Sequence, residues 1–194
     1  MTVRKILIYP EDKKGLRQTS ESVHEVTPYV KKIIRDLKHT LKDNGEGIGL
    51  AAPQINIHKR VVIACVGTDK DGEWEAGPPR ALVDPVILME ANEEKDFDGC
   101  LSFPGLYGET IRPHHLRVTG FDEDGQPFDK TFEGFNVVVV HHEIDHLNGV
   151  LFIDRISSPE DLYRYKKDKN GELIKFPVGV KIEALENFGA KHVF

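Results

Sequence analysis

Between residues 27 and 45 the apolar positions fall at helical spacing. Val30, Ile33, Ile34, Leu37 and Leu41 recur three or four residues apart, which puts them on one face of an α-helix. Thr27 is a suitable N-cap, Pro28 fits the first helical position, and Asn44-Gly45 supplies the stop. Residues 9–26 before it are polar and aperiodic and read as an ordered loop. After the helix the pattern turns to β. Residues 60–66 (RVVIACV) and 81–89 (ALVDPVILM) are rich in Val and Ile and predict strands, with a loop over 67–80. Residues 116–122 and 127–133 flank Asp124-Gly125, a strong hairpin signal. Residues 159–194 pass from charged to mildly apolar (Leu173, Ile174, Phe176, Val178, Val180) and predict an edge strand or a short terminal helix. Helix, several strands, then a second helix suggest an α+β fold with a mostly antiparallel sheet.

Composition narrows the function classes. The 194 residues carry 26 Lys and Arg against 32 Asp and Glu, a net charge of −6. Such a chain lacks the basic footprint of sequence-independent nucleic-acid binding. No apolar run approaches the roughly 18 residues that span a bilayer. Ile6-Leu7-Ile8 follows a basic start but stops at Tyr9-Pro10, too short for the roughly 7–15 apolar residues of a signal segment. Two cysteines, Cys65 and Cys100, make no disulfide framework and fit a reducing cytosol. The expected location is therefore the cytoplasm.

The strongest chemical signal is His142-Glu143-Ile144-Asp145-His146, an H-E-x-x-H pattern. On a helix, positions i and i+4 share a face, so two imidazoles can grip one ion. Val137 to Val140 just before it favour a strand by propensity. Ligand geometry and burial are expected to override that preference and make the segment a central helix. A hydrolytic site needs a third protein ligand and an open position. The downstream candidates are Asp154, Glu160 and His192, and upstream lies Cys100 in Asp98-Gly99-Cys100-Leu101-Ser102. A thiolate with two imidazoles suits iron, zinc, cobalt or nickel. Cys65, within an apolar strand, reads as a small buried hydrophobe.

A second motif is Gly47-Ile48-Gly49-Leu50-Ala51-Ala52-Pro53-Gln54. Its alternate glycines permit close approach of backbone or ligand. No Lys-Ser/Thr follows, so it is not a phosphate loop.

Taken in order, GIGLAAPQ, GCLS and HEIDH resemble the three signature motifs of the peptide deformylase family, over roughly residues 6–156. The resemblance implies a metal-dependent hydrolase that removes the formyl group from the N-terminal formylmethionine of new polypeptides, releasing formate. It implies Cys100, His142 and His146 as metal ligands, Glu143 as acid and base, and Gln54 with the Leu101 backbone N–H as oxyanion donors. It also implies that Gly49 helps hold the substrate. One divalent ion is expected per chain, natively Fe²⁺, with Zn²⁺, Ni²⁺ or Co²⁺ able to substitute. Residues 1–158 would form the catalytic domain, with mostly antiparallel twisted sheets around the HEIDH helix, and 159–194 an extension of it. The partners implied are nascent formylated polypeptides, met at the ribosome, with no specific nucleic acid and no membrane.

Helical spacing puts Val138 and Val139 on the His142 face, where with Gly47 and Ile48 they could line an apolar pocket for methionine. Core packing would account for the same valines. Two residues depart from the usual family pattern: Asp98 replaces Glu, and His141 replaces Gln. The shorter Asp98 is expected to lose a hydrogen bond beside the metal or to make it through water. Glu46 and Arg112 match a family salt bridge beside the site. Two other readings stand beside this one: an H-E-x-x-H zinc metalloprotease, and a deformylase-like binding protein with weak catalysis.

The ligand assignment predicts that Cys100→Ala empties the site while Cys65→Ala leaves metal content unchanged. Metal analysis of both purified variants checks this, and equal loss in the two would remove Cys100 as a ligand.

Overall fold

A computed structural model describes residues 2–167 and 173–178. The first long element forms where the apolar spacing demands it. Helix α2 spans Pro28–Asn44, with the Thr27 hydroxyl accepting from Val30 N and Gly45 at φ 78° closing its end. Ahead of it, within the expected loop, lies a short helix α1, Lys13–Leu16. It is a single turn, shorter than periodicity can reveal, and its one buried side chain is Leu16.

The strands are β1 (Gly49–Ala51), β2 (Val61–Ala64), β3 (Thr68–Lys70), β4 (Glu73–Glu75), β5 (Arg80–Gly99), β6 (Tyr107–Phe121), β7 (Pro127–Glu133), β8 (Leu162–Lys167) and β9 (Leu173–Pro177). Helix α3, Phe135–Leu147, follows β7. The main sheet runs β1-β2-β5-β6-β8-β9, with β7 also on β6, and every pairing is antiparallel.

Three expectations are corrected here. The loop over 67–80 contains the β3–β4 hairpin, turned by Asp71-Gly72 with φ of 56° and 85°. Those positive values are what a two-residue hairpin turn requires. The strand over 81–89 continues to Gly99, because residues 90–99 pair with β6 although most are exposed and polar. The tail contributes two strands, β8 pairing with β6 at Tyr107 and Gly108. A terminal helix beyond residue 178 would lie outside the described residues.

The continuous apolar run of β2 has a direct cause. Val61 and Ile63 pack with Val30, Ile33 and Leu37 of α2, whereas Val62 and Ala64 pack with Val137, Val140 and Ile144 of α3. Both faces of β2 are covered, so alternation with polar residues is absent. Helix α3 is buried on all sides from Val137 to Leu147, which lets packing outweigh the poor helix propensity of four valines. A third cluster (Tyr9, Phe103, Leu106, Phe152 and Ile156) closes the end of the sheet where β5 finishes. The N-terminal segment is tied in there. Leu7 N donates to Gln54 O at 2.7 Å, and Tyr9 N to Ser102 O at 2.9 Å.

Leu37 is fully buried between α2 and the sheet. Leu37→Ala should therefore cost about 2–5 kcal/mol of unfolding free energy, the usual range for such truncations. Exposed Tyr29→Ala should change it by less than about 0.5 kcal/mol. Urea melts of the two variants read the contrast.

Candidate metal centre

Cys100 stands one residue past the end of β5, and His142 and His146 sit one turn apart on α3. The fold brings their ligand atoms within 4.8 Å of one another. Cys100 Sγ lies 3.3 Å from His146 Nε2, and the imidazole centroids are 4.9 Å apart. One soft thiolate and two imidazoles meeting at a point fit a transition-metal or zinc ion. His146 Nδ1 is buried without a partner.

A chain of buried charges orients these donors. Asp98 Oδ1 lies 2.8 Å from His142 Nδ1. Its other oxygen accepts from Arg112 Nε at 2.9 Å and Nη2 at 2.7 Å. Burial disfavours the Asp98 carboxylate, but His142 and Arg112 outweigh it and hold its pKa low. Asp98 is thus an acceptor only, so His142 Nδ1 carries a proton and Nε2 is the nitrogen left for an ion, which would displace any proton held there. Burial likewise opposes a charge on His142, yet Asp98 raises its pKa well above the ordinary value. His146 is driven the other way, by burial and then by His142. Arg112 Nη1 also donates to Asp145 Oδ2 at 2.9 Å, and Arg155 holds Asp145 from the far side at 2.7 Å. Asp145 therefore points away from the cluster. So does Asp154, bound by Arg17, and exposed Glu160 meets Ser158. His192 lies outside the described residues.

Glu143 is buried beside the cluster, with Oε2 unpartnered. Burial pushes its pKa up to about 8. Its carboxyl lies against the backbone of β1, because a Cβ at Gly49 would sit 2.7 Å from Glu143 Cδ and closer still to Oε1. Gln54 follows β1 in a 3₁₀ turn, Ala52–Ile55. Its Oε1 accepts from Ala51 N at 2.8 Å, which fixes the amide orientation and turns Nε2 to Ser102 Oγ (3.1 Å) and Cys100 Sγ (3.5 Å).

Gln54, Asp98, Cys100, His142 and Glu143 face one cavity of about 430 Å³. Gly47, Ile48, Gly49 and Gln54 form one wall; Asp98, Cys100 and Leu101 form another. Val138, Val139, His142 and Glu143 come from α3, and Glu46 stands at the rim. His146 and Arg112 lie behind it. The valines also belong to the buried core, so lining and packing are both true of them. Phe97 and Tyr107 line the cavity too. They escaped sequence reasoning because nothing local marks an exposed aromatic as part of a site; the nearest signal was Phe97 standing three residues before Cys100.

Residues 3–161 match the sequence profile of the polypeptide deformylase family. The chain belongs to the peptide deformylase family. A peptide deformylase of Pseudomonas aeruginosa is 36% identical over 171 residues, covering 87% of this chain and 96% of that protein. One of Psychrobacter arcticus is 37% identical over 158 residues, 81% of each. Among solved structures, the Thermotoga maritima peptide deformylase aligns with TM-score 0.71 at 33% identity, covering 81% of this chain and all of that one. The Ehrlichia chaffeensis enzyme in complex with actinonin aligns with TM-score 0.73 at 33% identity, covering 81% and 91%.

Within this deformylase fold two expectations change. Asp98, though one methylene short, reaches His142 directly, so the bond expected to be lost or bridged is made. Arg112 does not meet Glu46. Its carboxylate partners are Asp98 and Asp145, deep behind the cavity, while Glu46 is exposed at the rim. His141 turns away from the cluster, between Arg112 Nη1 at 3.1 Å and Glu90 at 3.1 Å. Burial pushes its pKa down to about 4.

Removing the orienting charge should weaken the centre and cost about 3–5 kcal/mol of stability, because Arg112 loses a buried carboxylate. Asp98→Asn is expected to lower ion affinity by about 10–100-fold, the usual effect of losing such a partner. Competition against a chelator measures this, and unchanged affinity would show that His142 needs no carboxylate behind it.

Proposed function

We propose that Cys100, His142 and His146 hold one divalent ion and that Glu143 moves the proton in the reaction of this family. As a peptide deformylase family member, the chain is a hydrolase that removes the N-formyl group from nascent polypeptides. The observation that carries the residue assignment is the convergence of the three ligand atoms within 4.8 Å beside a buried, half-unpartnered Glu143.

When bound there, the ion would supply Lewis acidity and bring the pKa of a water down toward neutrality. Glu143, next in sequence to one ligand but outside the cluster, takes the proton of the attacking water and returns it to the departing amine. The Gln54 amide faces Cys100, and with the Leu101 backbone N–H it serves the oxyanion of the tetrahedral intermediate. One such donor contributes roughly 2.7–4 kcal/mol. Gly47 and Gly49 keep the opposite wall close. A Cβ at Gly47 would lie 2.7 Å from Leu101 and from Leu41. A slot bounded so tightly by backbone suits a carbonyl carbon that bears only hydrogen, and it disfavours acetyl. Ile48, Val138 and Val139 offer the unbranched methionine side chain an apolar seat.

The soft donor set suits iron, zinc, nickel or cobalt alike, and the family resemblance favours iron as the native ion. Two thiols without a disulfide support a cytoplasmic setting, with formylated chains met as they leave the ribosome. Among the described residues no helix is long and apolar enough to cross a membrane. Residues 1–158 act as the catalytic domain, and the β8–β9 segment extends its sheet. Asp98 reaching His142 removes one ground for a weakly catalytic binding protein, and the family match argues against a protease of internal bonds.

Glu143→Ala should retain near-stoichiometric metal while formate release from formyl-Met-Ala-Ser falls by about 10²–10⁴-fold, as for a lost general acid and base. Gln54→Ala should also keep metal and lose about 2.7–4 kcal/mol of transition-state stabilisation. Metal analysis with single-turnover kinetics reads both, and a fully active Glu143→Ala enzyme would end this mechanism.

A further inference from the structure

His141 is buried on α3 with a guanidinium facing each of its ring nitrogens. Arg112 Nη1 lies 3.1 Å from Nδ1. Arg155 Nη2, from the 3₁₀ turn Phe152–Arg155, lies 3.4 Å from Nε2. A buried ring between two positive charges stays neutral and carries one proton. It can therefore accept from one arginine only. Glu90 of β5 breaks the tie, with its Oε1 3.1 Å from Nε2. A carboxylate only accepts, so Nε2 carries the proton and donates to Glu90, and Nδ1 is left to accept from Arg112. The other acid near Nε2 is Asp145, whose Oδ1 stands 4.0 Å away and already accepts from Arg155 at 2.7 Å.

The choice of nitrogen bears on the metal centre through Arg112. Its Nη1 serves Asp145 Oδ2 at 2.9 Å as well as His141 Nδ1, while Nε and Nη2 close on Asp98 Oδ2 at 2.9 Å and 2.7 Å. Asp98 in turn lies 2.8 Å from His142 Nδ1. With the His141 proton on Nδ1 instead, two N–H groups would face each other across 3.1 Å. A guanidinium is planar and rigid, so a turn away from that clash also moves the two donors that hold Asp98. The Glu90 side chain is 49% exposed, so replacing it opens no hole in the core.

We propose that Glu90 is a positioning residue: its carboxylate selects the Nε2–H tautomer of His141 and thereby keeps Arg112 squared on Asp98 behind His142. The proposal rests on the reading of His142 as a ligand of the ion.

The test uses the zinc-loaded full chain carrying isotope-labelled histidine. Long-range proton–nitrogen correlation spectra show which ring nitrogen is protonated, and the His141 signal is assigned by its loss in His141→Leu. Competition against a chelator gives the zinc affinity. The wild type should show His141 protonated at Nε2. Glu90→Ala should move the proton to Nδ1 in a large share of molecules. It should also lower zinc affinity by about three- to tenfold, less than the loss of a group bonded directly to a ligand imidazole. Glu90→Gln, whose amide oxygen can still accept, should stay near the wild type in both readouts. Glu93→Ala, which removes a charge from the same exposed ribbon, should change neither. In the His141→Leu background, Glu90→Ala should have no further effect on affinity. An unshifted tautomer in Glu90→Ala would overturn the proposal, as would an equal affinity loss in Glu93→Ala or a full Glu90→Ala effect in His141→Leu. A shifted tautomer with unchanged affinity would overturn the positioning role, provided that Cys100→Ala does lose zinc. Affinity indifferent to Cys100→Ala as well would instead remove the ligand reading and leave the hold of Glu90 on His141 standing.

Discussion

Arg112 is 1% exposed, and the site is arranged around the cost of putting its guanidinium there. A buried ion loses several kcal/mol of hydration, recovered only by partners of good geometry. Asp98 comes from the last turn of β5's pairing, Asp145 from α3, and Arg112 itself from β6. Arg155 supplies a second positive charge to Asp145, so two carboxylates balance two guanidiniums. Removing one member would leave an uncompensated charge in the interior, a penalty of about 3–5 kcal/mol. That penalty fixes α3 against the sheet in one rotation and one height. His142 Nε2 then has one place to point, and the thiolate at the end of β5 arrives at the same place because Asp98 is two residues away.

The long-range half of this arrangement could not be read from the chain. HEIDH announces a pair of imidazoles through helical spacing, and GIGLAAPQ and GCLS announce close backbone and a thiol, because each is a local pattern. Nothing local tells Arg112 to choose Asp98 and Asp145 over Glu46, since that choice is made by which side of β6 faces α3. Asp98 shows the same limit: its reach to His142 depends on backbone placement rather than on side-chain length alone. Helix α2 was legible because its apolar stripe, cap and stop agree. β5 was legible only as far as Met89, where its pattern turns polar while the pairing with β6 continues on an exposed ribbon. The β3–β4 hairpin is short and exposed, with no apolar alternation to show.

The same geometry explains why α3 tolerates its valines. A helix wrapped by β1, β2, β6 and β7 is selected for what it packs against, and propensity becomes a small term beside burial. Polar residues survive in that interior only where a partner is assigned to them, as His141 and Asp145 are. Among the described residues of α3, Glu143 and His146 are the exceptions, each with one polar atom left unpaired beside the cluster. An unmet acceptor beside the cavity is costly for the fold and useful for proton transfer.

The two backbone bonds from Leu7 and Tyr9 have a consequence for the order in which the molecule becomes functional. They join residues 7 and 9 to Gln54 and Ser102, whose side chains also bond each other at 3.1 Å beside Cys100. The segment around residues 7–9 thus braces two stretches that lie far apart in the sequence. Closing those spans of roughly fifty and ninety residues costs loop entropy that only a nearly complete fold can repay. These two bonds are thus among the last contacts to form, and until they do Gln54 and Ser102 are held together by their side chains alone.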